Sequence, residues 1–203
     1  MTNRTPKHQS IEGPAGRIEI AVADPGAGRR ACAVIAHPHP LYGGTLDNKV
    51  VQTLAKAFLA LGMATLRFNF RGVGNSDGVF DDGRGECEDM QAVIDHASAT
   101  FGDLPLVLAG FSFGGFVAAE VAKTRPPKAL VLIAPAVNRF PVPAVPEGTL
   151  IVHGEEDDVV LLSDVMAWAR PQQLPVVVFP GTGHFFHGML VPLQQLVVRF
   201  CRD

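Results

Sequence analysis

Cysteine is scarce. Cys32, Cys87 and Cys201 are far apart and odd in number, and none forms a CxxC or a Cys/His pair at zinc spacing. A disulfide framework is therefore excluded, and the three read as reduced thiols of a reducing compartment. An excess of charge of one sign is also missing: 17 Lys+Arg against 20 Asp+Glu leave a net charge of -3. No basic face is implied, so nucleic acid is not an expected partner. Long hydrophobic runs are missing too. No stretch approaches the ~18 residues that a spanning helix needs. The opening segment MTNRTPKHQSIEGPAG is polar and carries no apolar core of a secretory signal. The expectation is a cytoplasmic protein with no membrane partner. Internal repeats and low-complexity tracts are not found.

What is there suits one globular domain: 203 residues, 47% apolar and 18% charged. Short apolar runs alternate with amphipathic segments. Arg17 to Ala23 alternates with period two and predicts an edge strand, whereas Ala31 to Ala36 (ACAVIA) is continuously apolar, as a strand buried on both faces would be. Asp47 to Leu61 predicts a helix with Asp47 or Asn48 as its cap and Val50, Val51, Leu54, Phe58 and Leu61 on one stripe. The unit then repeats. Strands are predicted at Ala64 to Phe70, Leu104 to Ala109, Ala129 to Ala134, Thr149 to Val152 and Val176 to Phe179. Helices are predicted at Gly85 to Ala99, Phe113 to Lys123, Leu162 to Ala169 and Met189 to Cys201. The first of these has Glu86, Glu88 and Asp89 in its opening turn, where the helix dipole favours them. This alternation predicts an α/β fold with a mostly parallel sheet covered by helices on both faces. Ligands of such sheets sit beyond the carboxyl ends of the strands, where the loops HPHPLYGG, RGVGNSDG, GFSFGG, HGEEDD and GTGHFFHG lie. The Pro-rich stretch Pro135 to Gly148 reads as a surface loop.

The strongest local motif is Gly110-Phe111-Ser112-Phe113-Gly114, a G-x-S-x-G between a predicted strand and a predicted helix. The serine there would occupy a strained turn in which side chains two before and two after it would strike neighbouring backbone. Its hydroxyl would stand at a helix N-terminus, which favours developing negative charge. A serine needs a base. His184, in the glycine-rich turn after the last strand, is the candidate, with His187 three residues later as its rival. An acid should follow the preceding strand, where Glu155, Glu156, Asp157 and Asp158 stand in a row. An oxyanion needs fixed donors: the N–H of Phe113, and a second from the loop His37 to Gly44. Pro38 and Pro40 have no N–H, which leaves His39 or Leu41. Tyr42 and His187 are the side chains expected to wall the cleft. The two His of HPHP lack a third ligand at a recognisable spacing, so no metal site is read. Arg71 and Asp77 are expected to hold their loop as an ion pair, and Phe68, Phe70, Phe111, Phe113 and Phe116 to be core or pocket lining.

Five collinear segments, AHPHPLYGGTLDNKVV, FNFRGVGNSDG, AGFSFGG, VHGEEDDVV and GTGHFFHG, resemble the α/β-hydrolase superfamily, nearest its small lidless prokaryotic serine hydrolases on the dienelactone-hydrolase-like side. The resemblance implies a single-domain sheet of about eight strands with Ser112 as nucleophile. HGEEDDVV is similar to the family's HGxxDxxV segment and implies Asp157 as the acid, with Asp158 and Glu155 as alternatives; GTGHFF implies His184 as the base. The first loop is similar to an HGxxG oxyanion loop whose third position falls on His39, with Pro38 in place of the usual glycine. Dienelactone hydrolases proper use cysteine, so their activity does not carry over. Many relatives insert a cap after the sixth strand. Here only Pro135 to Gly148 occupies that span, which implies an open, shallow site suited to small acyl esters. The implied activity is carboxylic-ester hydrolysis through an acyl-enzyme, without metal or organic cofactor, by a monomer or homodimer. Thioester, amide or peptide hydrolysis and acyl transfer are the alternatives with the same machinery, and a non-catalytic binding protein is the alternative without it.

Overall fold

A computed structural model describes residues 3–202. Its frame is one eight-stranded sheet in the order β1-β2-β4-β3-β5-β6-β7-β8. The strands are β1 (Asn3–Gly13), β2 (Gly16–Asp24), β3 (Ala31–Ala36), β4 (Met63–Phe68), β5 (Leu106–Phe111), β6 (Ala129–Ile133), β7 (Leu150–Gly154) and β8 (Val176–Phe179). The helices are α1 (Lys49–Ala60), α2 (Arg84–Phe101), α3 (Phe113–Ala122), α4 (Leu162–Ala169) and α5 (Leu190–Phe200). The β1–β2 and β2–β4 pairs are antiparallel, and every pair from β4 to β8 is parallel.

The central strands are apolar on both faces because both are covered. In β3, Cys32, Val34 and Ala36 enter the core beneath α2 and α3, while Ala31, Ala33 and Ile35 enter the core beneath α1 and α5. The same alternation runs through β6, with Leu130 and Leu132 on one side and Val131 and Ile133 on the other. A smaller cluster of Ile151, Val165, Ala169 and Leu174 seats α4. Of the two sequence candidates for the α1 cap, Asn48 serves: its Oδ1 accepts from the Val50 N–H at 2.9 Å. At the start of α2, Glu86 accepts from the N–H groups of Gly83 and Asp81 at 2.8 and 3.0 Å.

Three sequence expectations need correction. The strand expected at an edge over Arg17–Ala23 is internal, because β2 lies between β1 and β4. β1 was not foreseen: Asn3–Gly13 is a polar stretch without alternation, and it becomes a strand by pairing as an edge hairpin with β2. Its Ile11 packs beside Ile18 in the core. The Arg71–Asp77 ion pair does not form. Arg71 turns inward to Asp89 of α2, with Nη2–Oδ1 at 2.8 Å, while Asp77 pairs with Arg17 of β2 at 3.1 Å. Asp89, in the second turn of α2, captures Arg71 because it is buried and needs a cation, whereas Asp77 is solvated.

Parallel strands put all their carboxyl ends on one rim. The loops after β3, β5, β6, β7 and β8 therefore meet there, and they carry the candidate site residues. Between β6 and β7 the chain has only residues 134–149, so no cap domain covers that rim.

Candidate active site

Ser112 sits between β5 and α3 with φ +56° and ψ −116°, a conformation that costs a non-glycine residue about 1–3 kcal/mol. The glycines around it are required by close approach. A Cβ on Gly110 would lie 2.0 Å from the Gly114 oxygen, and a Cβ on Gly114 would lie 2.4 Å from the Ala36 oxygen. The turn is held further by the Ser112 N–H donating to the Ile133 oxygen at 2.9 Å and by the Ala136 N–H donating back to the Ser112 oxygen at 3.3 Å.

The loops after β7 and β8 are pressed together. A Cβ on Gly154 would lie 2.2 Å from the Thr182 oxygen, the Glu156 N–H donates to that oxygen at 3.0 Å, and the Gly181 N–H donates to the Glu155 carboxylate at 2.8 Å. This packing brings His184 Nδ1 to 2.7 Å from Asp157 Oδ2. The other oxygen of Asp157 accepts from the N–H groups of Val159 and Val160 at 2.9 and 2.8 Å. Burial pushes the Asp157 carboxyl up, but the hydrogen bond from His184, the Val160 N–H and the nearby imidazoles outweigh it and hold the group low. An ionised carboxylate only accepts, so His184 Nδ1 carries the proton and Nε2 presents a lone pair. Of the alternatives, Glu155 is spent on Gly181 and Asp158 is exposed.

Ser112 and His184 border the same cleft, of about 320 Å³, together with His39, Tyr42, Phe113, Arg139, Phe140 and Phe185. Among the described residues the Ser112 hydroxyl has no hydrogen-bond partner, and neither has His184 Nε2. The loop after β3 also resolves its own donors. The Leu41 N–H is taken by His39 Nδ1 at 3.2 Å, and the Tyr42 and Gly44 N–H groups by the His39 oxygen. The Gly43 N–H goes to the Pro40 oxygen. The His39 and Phe113 N–H groups donate to nothing among the described residues. His37 is fully buried and bridges this loop to the segment after β4: Nδ1–H donates to the Pro38 oxygen at 2.6 Å, and Nε2 accepts from the Phe70 N–H at 3.1 Å. Both of its nitrogens are thus engaged, which removes it as a metal ligand. Burial lowers its pKa to about 3.

His187 is not in the cleft wall. It is exposed and stacks on Phe185 with ring centroids 6.0 Å apart. Phe186 intervenes with φ +53° and is buried, and Phe185 rather than His187 lines the cleft. Sequence reasoning missed Arg139 and Phe140, which lie in the stretch read as a surface loop. The signal was available, since that loop follows a parallel strand and so belongs to the ligand-binding rim.

A second histidine stands behind Asp157. His153 is wholly buried at the end of β7, with Nε2 2.8 Å from the Val160 oxygen and 3.4 Å from Asp157 Oδ2. A carbonyl only accepts, so Nε2 carries its proton, and the buried Nδ1 has no partner.

The sequence, the sheet order and the strained serine turn all lead to one lineage. The chain belongs to the α/β-hydrolase superfamily. Residues 41–146 match the family described as serine aminopeptidase, S33. An α/β serine hydrolase homologue from Coxiella burnetii is 42% identical with a TM-score of 0.90, covering 99% of this chain and 98% of that one. A lidless α/β serine hydrolase from Xanthomonas campestris is 35% identical with a TM-score of 0.91, covering 98% and 94%. An uncharacterized protein of Rickettsia prowazekii is 37% identical over 76% of this chain and 68% of its own length. The α/β hydrolase is of the lidless type, and no helix among its described residues is long and apolar enough to cross a membrane.

Proposed function

We propose that this α/β hydrolase cleaves carboxylic esters of small substrates through an acyl-enzyme. Ser112 Oγ attacks the carbonyl carbon while His184 Nε2 takes its proton. Asp157 keeps the imidazole in the required tautomer and stabilises the imidazolium. The tetrahedral oxyanion is met by the N–H groups of Phe113 and His39. His184 then protonates the leaving alcohol, and a water activated by the same nitrogen releases the acid. The observation that carries this reading is the 2.7 Å His184–Asp157 contact beside a serine whose turn is strained and whose hydroxyl is unengaged. The missing Ser112–His184 hydrogen bond is in keeping with it, because such bonds tighten when substrate binds.

The test is burst kinetics with a short-chain aryl ester. Wild type should show a burst and steady turnover, and Ser112→Ala should lose on the order of 10⁶-fold in kcat. Unchanged turnover in the variant rejects the reading. The description of the matching family favours a second reading, peptide hydrolysis by the same residues. Matched ester, thioester and anilide substrates compared by kcat/KM separate the two. The site needs no cofactor in either case. Its setting is proposed to be the cytoplasm, its partner a small ester rather than nucleic acid or membrane, and its state a monomer or homodimer.

A further inference from the structure

Among the residues that line the cleft, Arg139 alone carries a formal charge at neutral pH. Its place in the cleft lining and one ring contact put its guanidinium at the mouth. Cζ lies 5.6 Å from the centroid of the Tyr42 ring, and its charge reaches His39, where burial first and Arg139 second depress the imidazole pKa. Asp82 acts on His39 in the opposite sense but does not line the cleft. Among the described residues Arg139 has no carboxylate within ion-pair distance. Other Arg side chains do find one, among them Arg17 with Asp77, Arg71 with Asp89 and Arg125 with Asp95.

The backbone under Arg139 is fixed. The Arg139 and Phe140 N–H groups both donate to the Ala136 oxygen, at 3.2 and 3.1 Å, and the Ala136 N–H donates to the Ser112 oxygen. Asn138 Nδ2 donates to the Val159 oxygen at 3.0 Å, tying the loop to that of Asp157. Phe140 stacks on Phe116 with ring centroids 5.0 Å apart and meets Phe113 edge-on. Aromatic rings, with His39 against Tyr42 and Phe113, form much of the remaining wall, and Ala136, Val159 and Val160 add to its apolar lining. An apolar slot of this kind with one uncompensated cation at its rim is complementary to an apolar chain that ends in one negative charge.

We propose that Arg139 makes this site selective for esters whose substrate carries a carboxylate at the end remote from the scissile bond. The inference rests on the ester-hydrolase reading and names its substrate class. A single cation balances a single charge, so a carboxylate fits better than a dianionic phosphate, which is usually met by several donors.

The experiment uses 4-nitrophenyl monoesters of straight-chain dicarboxylic acids of increasing length, each paired with the same ester ending in a primary amide. Wild type should prefer the carboxylate member in kcat/KM by about five- to tenfold at one or more lengths, a modest factor because the cation is exposed. The preference should shrink with added salt. It should fall to about unity in Arg139→Gln and persist in Arg139→Lys. Equal turnover of both members at every length, or a preference that survives in Arg139→Gln, overturns the proposal. A phosphate-terminated ester preferred over the carboxylate overturns the choice of anion. Turnover of the amide member that Ser112→Ala abolishes keeps the ester reading intact even where selectivity fails. Turnover of neither member rejects both.

Discussion

Asp157 divides its two oxygens between two tasks. Oδ1 accepts two backbone N–H groups and so shapes the loop, while Oδ2 takes the proton of His184 Nδ1. An amide can do the first and not the second, since its nitrogen would face another donor. Asp157→Asn should therefore fold with nearly unchanged urea stability and lose about 10⁴-fold in kcat, as expected when the imidazole is held in the wrong tautomer. A variant that keeps most of its turnover would remove Asp157 from the mechanism. His153 belongs to the same residue-scale logic. Burial lowers its pKa more than the Val160 carbonyl and Asp157 raise it, so it stays neutral and holds the carbonyl of the residue whose N–H binds the acid.

At the scale of elements, the β5–α3 turn is first of all a packing problem. The helix begins so close to β3 that Gly114 has no room for a methyl group, and the strain at Ser112 persists because neighbouring strands overdetermine it. A graded outcome is expected. Gly114→Ala should destabilise by about 3 kcal/mol, at the upper end for overpacking, because the obstructing atoms are backbone oxygens. Gly148→Ala, which meets nothing within 4 Å, should change stability by no more than about 0.5 kcal/mol. Equilibrium urea unfolding measures both, and equal effects at the two sites would contradict the crowding argument.

The whole molecule records its buried imidazoles in its response to acid. His37 is held neutral down to about pH 3, mainly by burial, whereas in the unfolded chain it takes a proton near its ordinary pKa of 6.5. As pH falls below that value the unfolded state binds a proton that the folded state refuses, so stability drops. The slope from His37 is up to about 1.4 kcal/mol per pH unit, and His153 adds in the same sense. Glu86, whose carboxyl burial raises, acts oppositely nearer its own range. Unfolding free energies measured between pH 6.5 and 5, above the range of most carboxylates, should decline steadily. A flat profile would mean that these histidines are not shut away as described.

Order along the chain determined much of this. The run of apolar strands and amphipathic helices specified a parallel sheet, since a strand covered on both faces must be apolar throughout, as Ala31–Ala36 is. The glycines at 110 and 114 marked the serine turn, because nothing larger fits there. Only the tertiary structure decided the partners. Asp157 rather than its acidic neighbours meets His184, because the loops after β7 and β8 interlock at Gly154 and Thr182. Arg71 goes to Asp89 and not to Asp77, because burial rather than proximity in sequence sets which charge must be matched. Leu41 loses its N–H to the His39 ring, and Arg139 reaches the cleft from a loop whose sequence suggested only surface. The chain encodes the periodicities of its own elements locally, whereas a hydrogen bond or an ion pair between distant residues exists only once the sheet has set the distance between its loops.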